Sequence, residues 1–363
     1  MEPTDRRLYN PRVDQLRAVG FLAVSALHFF KPTYAEELGR LPGSRFFAPF
    51  ILNGYFGVSL FFLLSGYILS RLAIEQGGGR ISYGTFLLNR VLRIYPLWVI
   101  CLLLVMYQGQ ISGSKMISLL LLFVQDLPPT PWNVAWSVQQ EFYLYLLFPI
   151  MFANLTRVKH LFAVIATCIA VRLSISYNMS PDVLRDVSYS TIMGTVTVFA
   201  TGMMLARLPR VSWPPFARRL LLAVSIALIW GVASLIEYGG GFFFAKQSAG
   251  FTWFWFFYPE IMAISFGALL FTYDIIAPPA QRGPVSATFS WLGKISYSGY
   301  LFHVALIDFV RTWLIALGLR AVVNPFLEFA IYLVLLIGLA SISFTVIEKP
   351  FLTFRKRYVA QTP

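Results

Sequence analysis

The sequence predicts an all-α, polytopic membrane protein, and three observations support this prediction. Of the 363 residues, 58% are hydrophobic and only 12% are charged, against about 25% charged in soluble domains. The mean hydropathy is +0.69. Apolar runs of the length that a helix needs to cross a bilayer, about 20 residues, recur along the chain. We therefore treat residues 1–363 as a single integral membrane domain.

The first predicted span begins near Val13 and contains the apolar stretch from Ala18 to Phe30. Nine further apolar runs are predicted to cross, at 54–72, 86–107, 137–155, 160–177, 191–207, 217–237, 257–274, 290–315 and 325–347. The piece at 115–126 is too short to cross, so we expect a re-entrant or interfacial segment there. We expect ten crossings and cytoplasmic N- and C-termini, because an eleventh crossing would export the basic loop RLPRVSWPPFARR against the positive-inside rule.

The net charge of +13 would suggest a nucleic-acid partner if the domain were soluble. Here Lys and Arg lie between apolar runs, which is typical of cytoplasmic loops and of contacts with anionic head groups. We therefore exclude nucleic acid and expect the lipid bilayer as the partner of these charges. Cys101 and Cys168 each lie in an apolar run, which indicates neither a disulfide framework nor a metal site.

Arg17 and His28 lie in the first predicted span, in RVDQLRAVGFLAVSALHFF. A charge at the middle of a spanning helix costs roughly 2.5 to 3.5 kcal/mol, so ionisable residues there indicate a function. Eleven residues of helix advance about 16 Å and return to within about 20° of the same face. Both side chains are therefore expected to face one interior at two depths.

Arg90 and Arg93 are three residues apart in NRVLRIYPLW, at the predicted cytoplasmic mouth of the third span. Two guanidinium groups there suit a phosphate-bearing ligand, although a positive-inside anchor is the simpler interpretation. Glu141 lies near the outer start of a later span, where a carboxylate needs a partner or water. It could orient or deprotonate a group, or pair with an arginine.

His303 lies roughly 15 Å into its predicted span if that helix begins near Gly293, and a lone histidine at such a depth is often structural. Glu348, in VIEKPF, lies at the inner end of the last span, where an ion pair with an arginine is the simplest interpretation. The glycines of the second span, Gly54, Gly57 and Gly66, predict close approach of a neighbouring helix.

Six motifs occur in a fixed order along the chain: RVDQLR at 12–17 with His28 after it, GVSLFFLLSG at 57–66, RVLRIYP at 90–96, Trp136 and Ser137 with Glu141, Tyr145 and Pro149, SYSGYLFH at 296–303, and IEKP at 347–350. In this order they resemble the acyltransferase-3 family of integral membrane acyltransferases over essentially the whole chain. Ser59, Leu144 and Gly299 stand where that family often has Asp, Phe and a bulkier aliphatic residue. These departures suggest a changed acceptor pocket.

The resemblance implies transfer of an acyl group, commonly acetyl, to a hydroxyl of a glycan, a lipid-linked sugar or a small natural product. It implies acetyl-CoA or another acyl-CoA as donor substrate, with no permanently bound cofactor and no metal. It also implies a multi-pass protein of the bacterial inner membrane, with a glycan-assembly or export system as a further candidate partner.

The expected donor-binding residues are Arg90 and Arg93, the expected catalytic residues are Arg17, His28, Glu141 and Glu348, and Asp14 and His303 are additional candidates. In this scheme His28 acts as general base on the acceptor hydroxyl or accepts the acyl group itself. Since the predicted topology puts His28 in the outer half of its span, an extracytoplasmic acceptor is favoured.

Two alternatives stay open at this point. A proton-coupled transporter of a small solute would also need buried Arg, His and Glu side chains in a polytopic bundle. The second alternative is an acyltransferase that performs the same reaction on an acceptor at the cytoplasmic side of the membrane. A purely structural membrane protein gives no reason for the ordered set of intramembrane charges.

Overall fold

The computed structural model describes residues 11–121, 134, 136–176, 179–238, 249–277, 283–320 and 322–359. Within these ranges the regular structure is helical, apart from an isolated antiparallel bridge between Ile81 and Val359. The helices are α1 Pro11–Gly39, α2 Ser44–Leu52, α3 Phe56–Glu75, α4 Tyr83–Tyr107, α5 Gly113–Leu120, α6 Trp136–Asn154, α7 Val158–Ser176, α8 Pro181–Ser190, α9 Ile192–Leu205, α10 Pro215–Tyr238, α11 Ala249–Leu270, α12 Pro284–Lys294, α13 Ser296–Ala316, α14 Pro325–Ser343 and α15 Lys349–Leu352. Single π-helical turns extend α11 over Phe271–Ile275 and join α14 to α15 over Phe344–Glu348.

Among the described residues, eight helices are long and apolar enough to cross a membrane: Pro11–Gly39, Phe56–Glu75, Tyr83–Tyr107, Val158–Ser176, Pro215–Tyr238, Trp253–Ile275, Ser296–Ala316 and Pro325–Leu352. The protein is therefore a multi-pass, all-helical membrane protein. The other two predicted spans correspond to α6 and α9. Because α9 has 14 residues and is only about 21 Å long, the count of ten crossings and the side of the termini stay predictions.

The segment at 31–50, between the first two predicted spans, is expected to be an interfacial loop on the outer side, but it is largely helical. Helix α1 continues past Pro32 to Gly39, with a kink at Tyr34 (φ −125°, ψ 16°), and α2 follows. Pro32 lies two residues before this kink, and it cannot donate the helical backbone hydrogen bond to the carbonyl of His28. Of the short segment expected at 115–126, α5 covers the first part, and residues 122–126 lie outside the described residues.

The span predicted at 290–315 is two helices, because the chain breaks at Ile295 between α12 and α13. A Cβ built on Gly293 would lie 1.9 Å from the Asp14 carbonyl oxygen. Helix α12 therefore crosses the first turns of α1 at backbone contact. The turn at Ile295 then lets α13 run beside α1 and α14.

Close approach at the glycines of the second span is confirmed. A Cβ on Gly57 would lie 2.5 Å from the Gly20 carbonyl oxygen of α1, and one on Gly66 would lie 2.1 Å from the Phe199 carbonyl oxygen of α9. At the same contact between α3 and α9, a Cβ on Gly202 of α9 would lie 2.0 Å from the Leu63 carbonyl oxygen of α3. Helix α3 is therefore packed between α1 and α9 at distances that only glycine allows.

We expect Gly66→Ala to lower the free energy of unfolding by about 1–3 kcal/mol, the usual cost of overpacking, because the new methyl group meets backbone atoms of α9. The measurement is thermal or denaturant unfolding of the purified protein in detergent. Gly231→Ala is the matched control: this glycine of α10 has open space around it, so its replacement is expected to be neutral or slightly stabilising. Equal stability of the two variants would contradict the close crossing.

Candidate active site

Helices α1, α3, α6 and α13 converge on a small cavity of about 50 Å³. Its polar lining comes from all four helices: Arg17, Ser65, Ser137, Glu141, Ser296, Tyr297 and Tyr300. On α13, positions 296, 300 and 303 recur at the i, i+4, i+7 spacing that places side chains along one helix face. The face that lines the cavity therefore continues to His303.

Glu141 is held in the cavity by two hydroxyl donors. Ser65 Oγ donates to Glu141 Oε1 at 2.6 Å, and Tyr145 Oη donates to the same oxygen at 2.5 Å. These bonds come from α3 and from the next turn of α6, so they fix the carboxylate between two helices. A carboxylate inside a membrane protein is costly without such partners.

Arg17 lines the same cavity. Glu141 and Arg93 lie near enough to act on its charge, yet its guanidinium makes no hydrogen bond or ion pair with the described part of the chain. Its N–H groups are therefore available to a ligand, unlike those of an arginine held in an ion pair. Asp14, one helical turn before Arg17, also acts on this charge.

His28 and His303 face each other across α1 and α13. Their ring centroids are 5.0 Å apart with the planes at 67°. His303 is fully buried, and its Nδ1 lies 2.5 Å from the Tyr300 carbonyl oxygen. Because a carbonyl oxygen only accepts, Nδ1 must carry the proton. The Nε2 atom of neutral His303 is then a buried acceptor, and it has no partner among the described residues.

The two histidines are joined to the cavity through Tyr300. Its ring centroid is 5.3 Å from that of His303, and its hydroxyl lies 2.8 Å from Ser137 Oγ and donates to the Val134 carbonyl at 2.9 Å. The ring of Tyr55 also lies near His28, with the two ring centroids 6.4 Å apart. A continuous row of polar groups thus runs from Arg17 to the histidine pair.

Glu348 is engaged in a buried ion pair. Arg93 Nη1 donates to Glu348 Oε2 at 2.8 Å, and Ser298 Oγ donates to the other carboxylate oxygen. The Glu348 side chain is 1% exposed. The Arg93 guanidinium also packs over the Tyr297 ring, with 5.5 Å between Cζ and the ring centroid. Glu348 therefore orients Arg93 beside Tyr297, which lines the cavity.

Arg90 is 8% exposed and lies between two aromatic rings. Its Cζ is 5.5 Å from the centroids of both Phe86 and Tyr145. Its Nε has no hydrogen-bond partner among the described residues, and no described carboxylate pairs with it. This differs from Arg93, three residues later, which is paired. Stacking holds the Arg90 guanidinium in place while leaving its charge uncompensated.

The C-terminal tail brings a further arginine to this end of the bundle. Asn89 Nδ2 donates to the Lys356 carbonyl at 2.6 Å, and Lys356 N donates to Asn89 Oδ1 at 3.0 Å. Arg355 is thereby held next to Arg90, whose charge acts on it. Tyr358 anchors the tail, since its hydroxyl donates to the Leu69 carbonyl at 3.1 Å. Burial raises the pKa of Tyr358 to about 12, so the hydroxyl keeps its proton.

The residues chosen from the sequence thus fall into three groups. Arg17 and Glu141 share the cavity, His28 and His303 form a pair, and the remaining ones lie toward the end where α1 begins: Asp14, Arg90, Arg93 and Glu348. Sequence reasoning missed Ser65, Tyr300 and Arg355. For Tyr300 a signal existed, namely its helical spacing from Ser296 and His303, whereas nothing in the sequence connects the tail to Asn89.

Gly299 has a packing reason. A Cβ at this position would lie 2.5 Å from the ring of Phe21, a buried residue of α1. The Phe21 ring therefore occupies the space that a side chain at position 299 would need.

Known proteins resemble the chain over nearly its whole length. O-acetyltransferase OatA of Staphylococcus aureus (strain NCTC 8325 / PS 47) is 25% identical over 386 residues, which is 95% of this chain and 58% of OatA. The protein SAR0937 of Staphylococcus aureus (strain MRSA252) is 23% identical over 398 residues, 97% of this chain and 60% of that protein. The chain thus spans about 60% of the length of these relatives. No solved structure matches it.

A family model described as an acyltransferase domain matches residues 10–345. That range includes α1 to α14, and with them the cavity and the histidine pair. Because the match covers far more than half of the 363 residues, the chain belongs to the acyltransferase-3 family.

Proposed function

We propose that this protein is a membrane O-acyltransferase that moves an acetyl group from acetyl-CoA to a hydroxyl of a glycan, a lipid-linked sugar or a small natural product. Membership of the acyltransferase-3 family supports the class of reaction. The name O-acetyltransferase, which the OatA relatives carry, supports an acetyl group as the group transferred and an oxygen atom as its acceptor. The observation that carries the proposal is the pair of imidazoles 5.0 Å apart, next to a cavity with an unpaired guanidinium.

The donor is proposed to bind where the arginines gather. Arg90 has no acidic partner in the described chain, Arg93 is oriented by Glu348, and Arg355 lies beside them. Guanidinium groups bind phosphate oxygens through two parallel charge-assisted hydrogen bonds. The phosphates of acetyl-CoA would lie at this mouth, with the thioester directed toward the cavity and the histidines.

The chemical step needs one base and one group that stabilises an oxyanion. In the proposed reaction the acceptor hydroxyl gives its proton to a histidine nitrogen and its oxygen attacks the thioester carbonyl carbon. The carbon–sulfur bond then breaks, the histidine returns the proton to the leaving thiolate, and an ester and coenzyme A result. Arg17, whose N–H groups are available, would stabilise the oxyanion that forms between these steps.

Either imidazole fits the role of base, and His28 also fits that of a transient acyl carrier. The hydrogen bond from His303 Nδ1 to the Tyr300 carbonyl fixes the orientation of the ring, and the Nε2 atom has no partner among the described residues. Glu141, held by Ser65 and Tyr145, would orient the acceptor or the donor arm. We assign His28 as the base for the acceptor hydroxyl, and His303, through its unpartnered Nε2, as a second group that would contact the reacting atoms.

We further propose that the protein works in a bacterial inner membrane, that its acceptor is on the outer side, and that a glycan-assembly or export system supplies that acceptor. The bacterial source of the relatives supports the first point. The positive-inside distribution of Lys and Arg supports the second, because it puts Arg90 and Arg93 inside and His28 nearer the outer surface. A proton-coupled transporter is not favoured by the family match.

We expect His28→Ala and His303→Asn each to lower acetyl transfer by about 10²- to 10⁴-fold, the usual contribution of a general acid or base. Asn keeps an N–H donor for the Tyr300 carbonyl and removes the Nε2 acceptor. The measurement is the transfer of radiolabelled acetyl from acetyl-CoA to a crude extract of envelope glycans, together with thioester cleavage.

His160→Ala is the matched control for both variants, since His160 is the third of three histidines and lies at the start of α7. It is expected to keep the wild-type rate. Thermal unfolding shows whether each variant is folded. A folded His28→Ala protein with the wild-type rate would refute the assignment of the histidine pair.

The two arginines are expected to respond differently to replacement. Arg90→Gln should weaken acetyl-CoA binding roughly tenfold or more, since one charge-assisted contact contributes about 1.5–3 kcal/mol. Arg93→Gln should in addition lower the free energy of unfolding by about 3–5 kcal/mol, because it leaves Glu348 buried without its partner. Binding is measured by calorimetry and stability by thermal unfolding.

Arg80→Gln is the control for charge, because Arg80 is exposed in the loop before α4. The double variant Arg93→Met/Glu348→Met removes the whole ion pair and should recover most of the stability without recovering donor affinity. Donor affinity that falls equally in Arg80→Gln and Arg90→Gln would contradict a specific phosphate site.

A further inference from the structure

A groove of about 870 Å³ lies between α1, α3, α10, α11 and α12. On α1 it is lined by Val19, Ala23 and Ala26, which lie about 160° around the helix from Arg17 and His28 at about 100° per residue. The groove and the candidate active site are therefore on opposite sides of α1. Nothing in the proposed reaction uses the groove.

The groove is apolar along its length and basic at one end. Arg12, Arg218 and Arg219 line the basic end, and Phe50 and Ile51 of α2 line the far end. From position 12 to position 26 of α1 the groove extends about 21 Å. This exceeds half of the roughly 30 Å hydrocarbon thickness of a bilayer, so the groove has the length of one leaflet with part of its head-group layer.

Three helices begin at the basic end: α1 at Pro11, α10 at Pro215 and α12 at Pro284. Each helix N-terminus carries a partial positive charge that favours an anion. Arg12, Arg218 and Arg219 lie in the first turns of two of these helices, where cations are unfavourable unless an anion is bound. Helix dipoles and side-chain charges thus point to the same kind of ligand.

The described carboxylate that lies near this end is engaged elsewhere. Arg218 lies near enough to act on the charge of Arg12, as does Asp274. Asp274, however, is paired with Arg210 at 3.2 Å and accepts a hydrogen bond from Tyr67 at 2.6 Å. The side chains of Arg218 and Arg219 make no ion pair with the described residues. Within the described part of the chain, Arg218 and Arg219 therefore keep their positive charge uncompensated.

We propose that the groove binds one anionic phospholipid, with its phosphate at Arg12, Arg218 and Arg219 and an acyl chain along the wall formed by Val19 and Ala23. Basic pockets between spanning helices are typical sites for anionic head groups. The positive-inside rule puts this end at the cytoplasmic face, so the lipid comes from the inner leaflet. A soluble anion would leave the apolar length of the groove unused.

The test is native mass spectrometry of the full chain in a mild detergent, titrated with phosphatidylglycerol or with phosphatidylcholine of the same acyl chains. The wild type should retain one phosphatidylglycerol more tightly than phosphatidylcholine. Arg218→Gln/Arg219→Gln should weaken phosphatidylglycerol binding roughly tenfold or more and leave phosphatidylcholine unchanged. Val19→Trp should weaken both, because Val19 is 43% exposed in the groove and a larger side chain fills it.

The matched control is Arg157→Gln/Lys159→Gln, which removes two exposed charges from the loop before and the start of α7. It should bind phosphatidylglycerol like the wild type. If this control loses as much phosphatidylglycerol affinity as Arg218→Gln/Arg219→Gln, the effect is a general attraction of anionic lipid to positive charge, and the proposal is overturned. The proposal is also overturned if the wild type binds the two lipids equally, or if Val19→Trp binds both as the wild type does. Displacement of phosphatidylglycerol by equimolar palmitoyl-CoA or polyprenyl phosphate would overturn it as well.

Discussion

The candidate active site depends on how closely α1 is packed. Backbone contact with Gly57 of α3 and Gly293 of α12, and the Phe21 ring against Gly299 of α13, hold this helix on three sides. Such contacts resist rotation, because a packed interior deforms little before it becomes unfavourable. The positions of Arg17 and His28 follow from this packing, since both lie on α1 and face partners on α6 and α13.

The charges inside the bundle are treated in two ways. Arg93 and Glu348 neutralise each other, with two further hydroxyl or aromatic contacts around them. Arg17 and Arg90, in contrast, form no ion pair with a described carboxylate, and aromatic stacking holds Arg90 instead. An arginine kept in a membrane protein without a carboxylate is costly, and a bound anionic substrate would explain its presence.

Several features of the fold and the candidate site were predictable from the spacing of residues along single helices. The eleven-residue spacing put Arg17 and His28 on one face, and the glycines of α3 indicated close crossings that the structure confirms. The break at Ile295 and the docking of Arg355 were not predictable, because each depends on a contact with a distant segment. His303 ranked low for the same reason: its partner His28 is 275 residues away, and no periodicity connects them.

The most direct test uses sealed liposomes that contain the purified protein and trapped envelope-glycan extract, with radiolabelled acetyl-CoA supplied only outside. Molecules whose Arg90 face points outward can take the donor there. We expect label to appear on the trapped glycans and free coenzyme A to appear outside. If the donor is neither bound nor cleaved, acyl transfer is wrong for this protein. A second sample has the glycans added outside the liposomes instead, and if label appears only there, the proposed side of the acceptor is wrong.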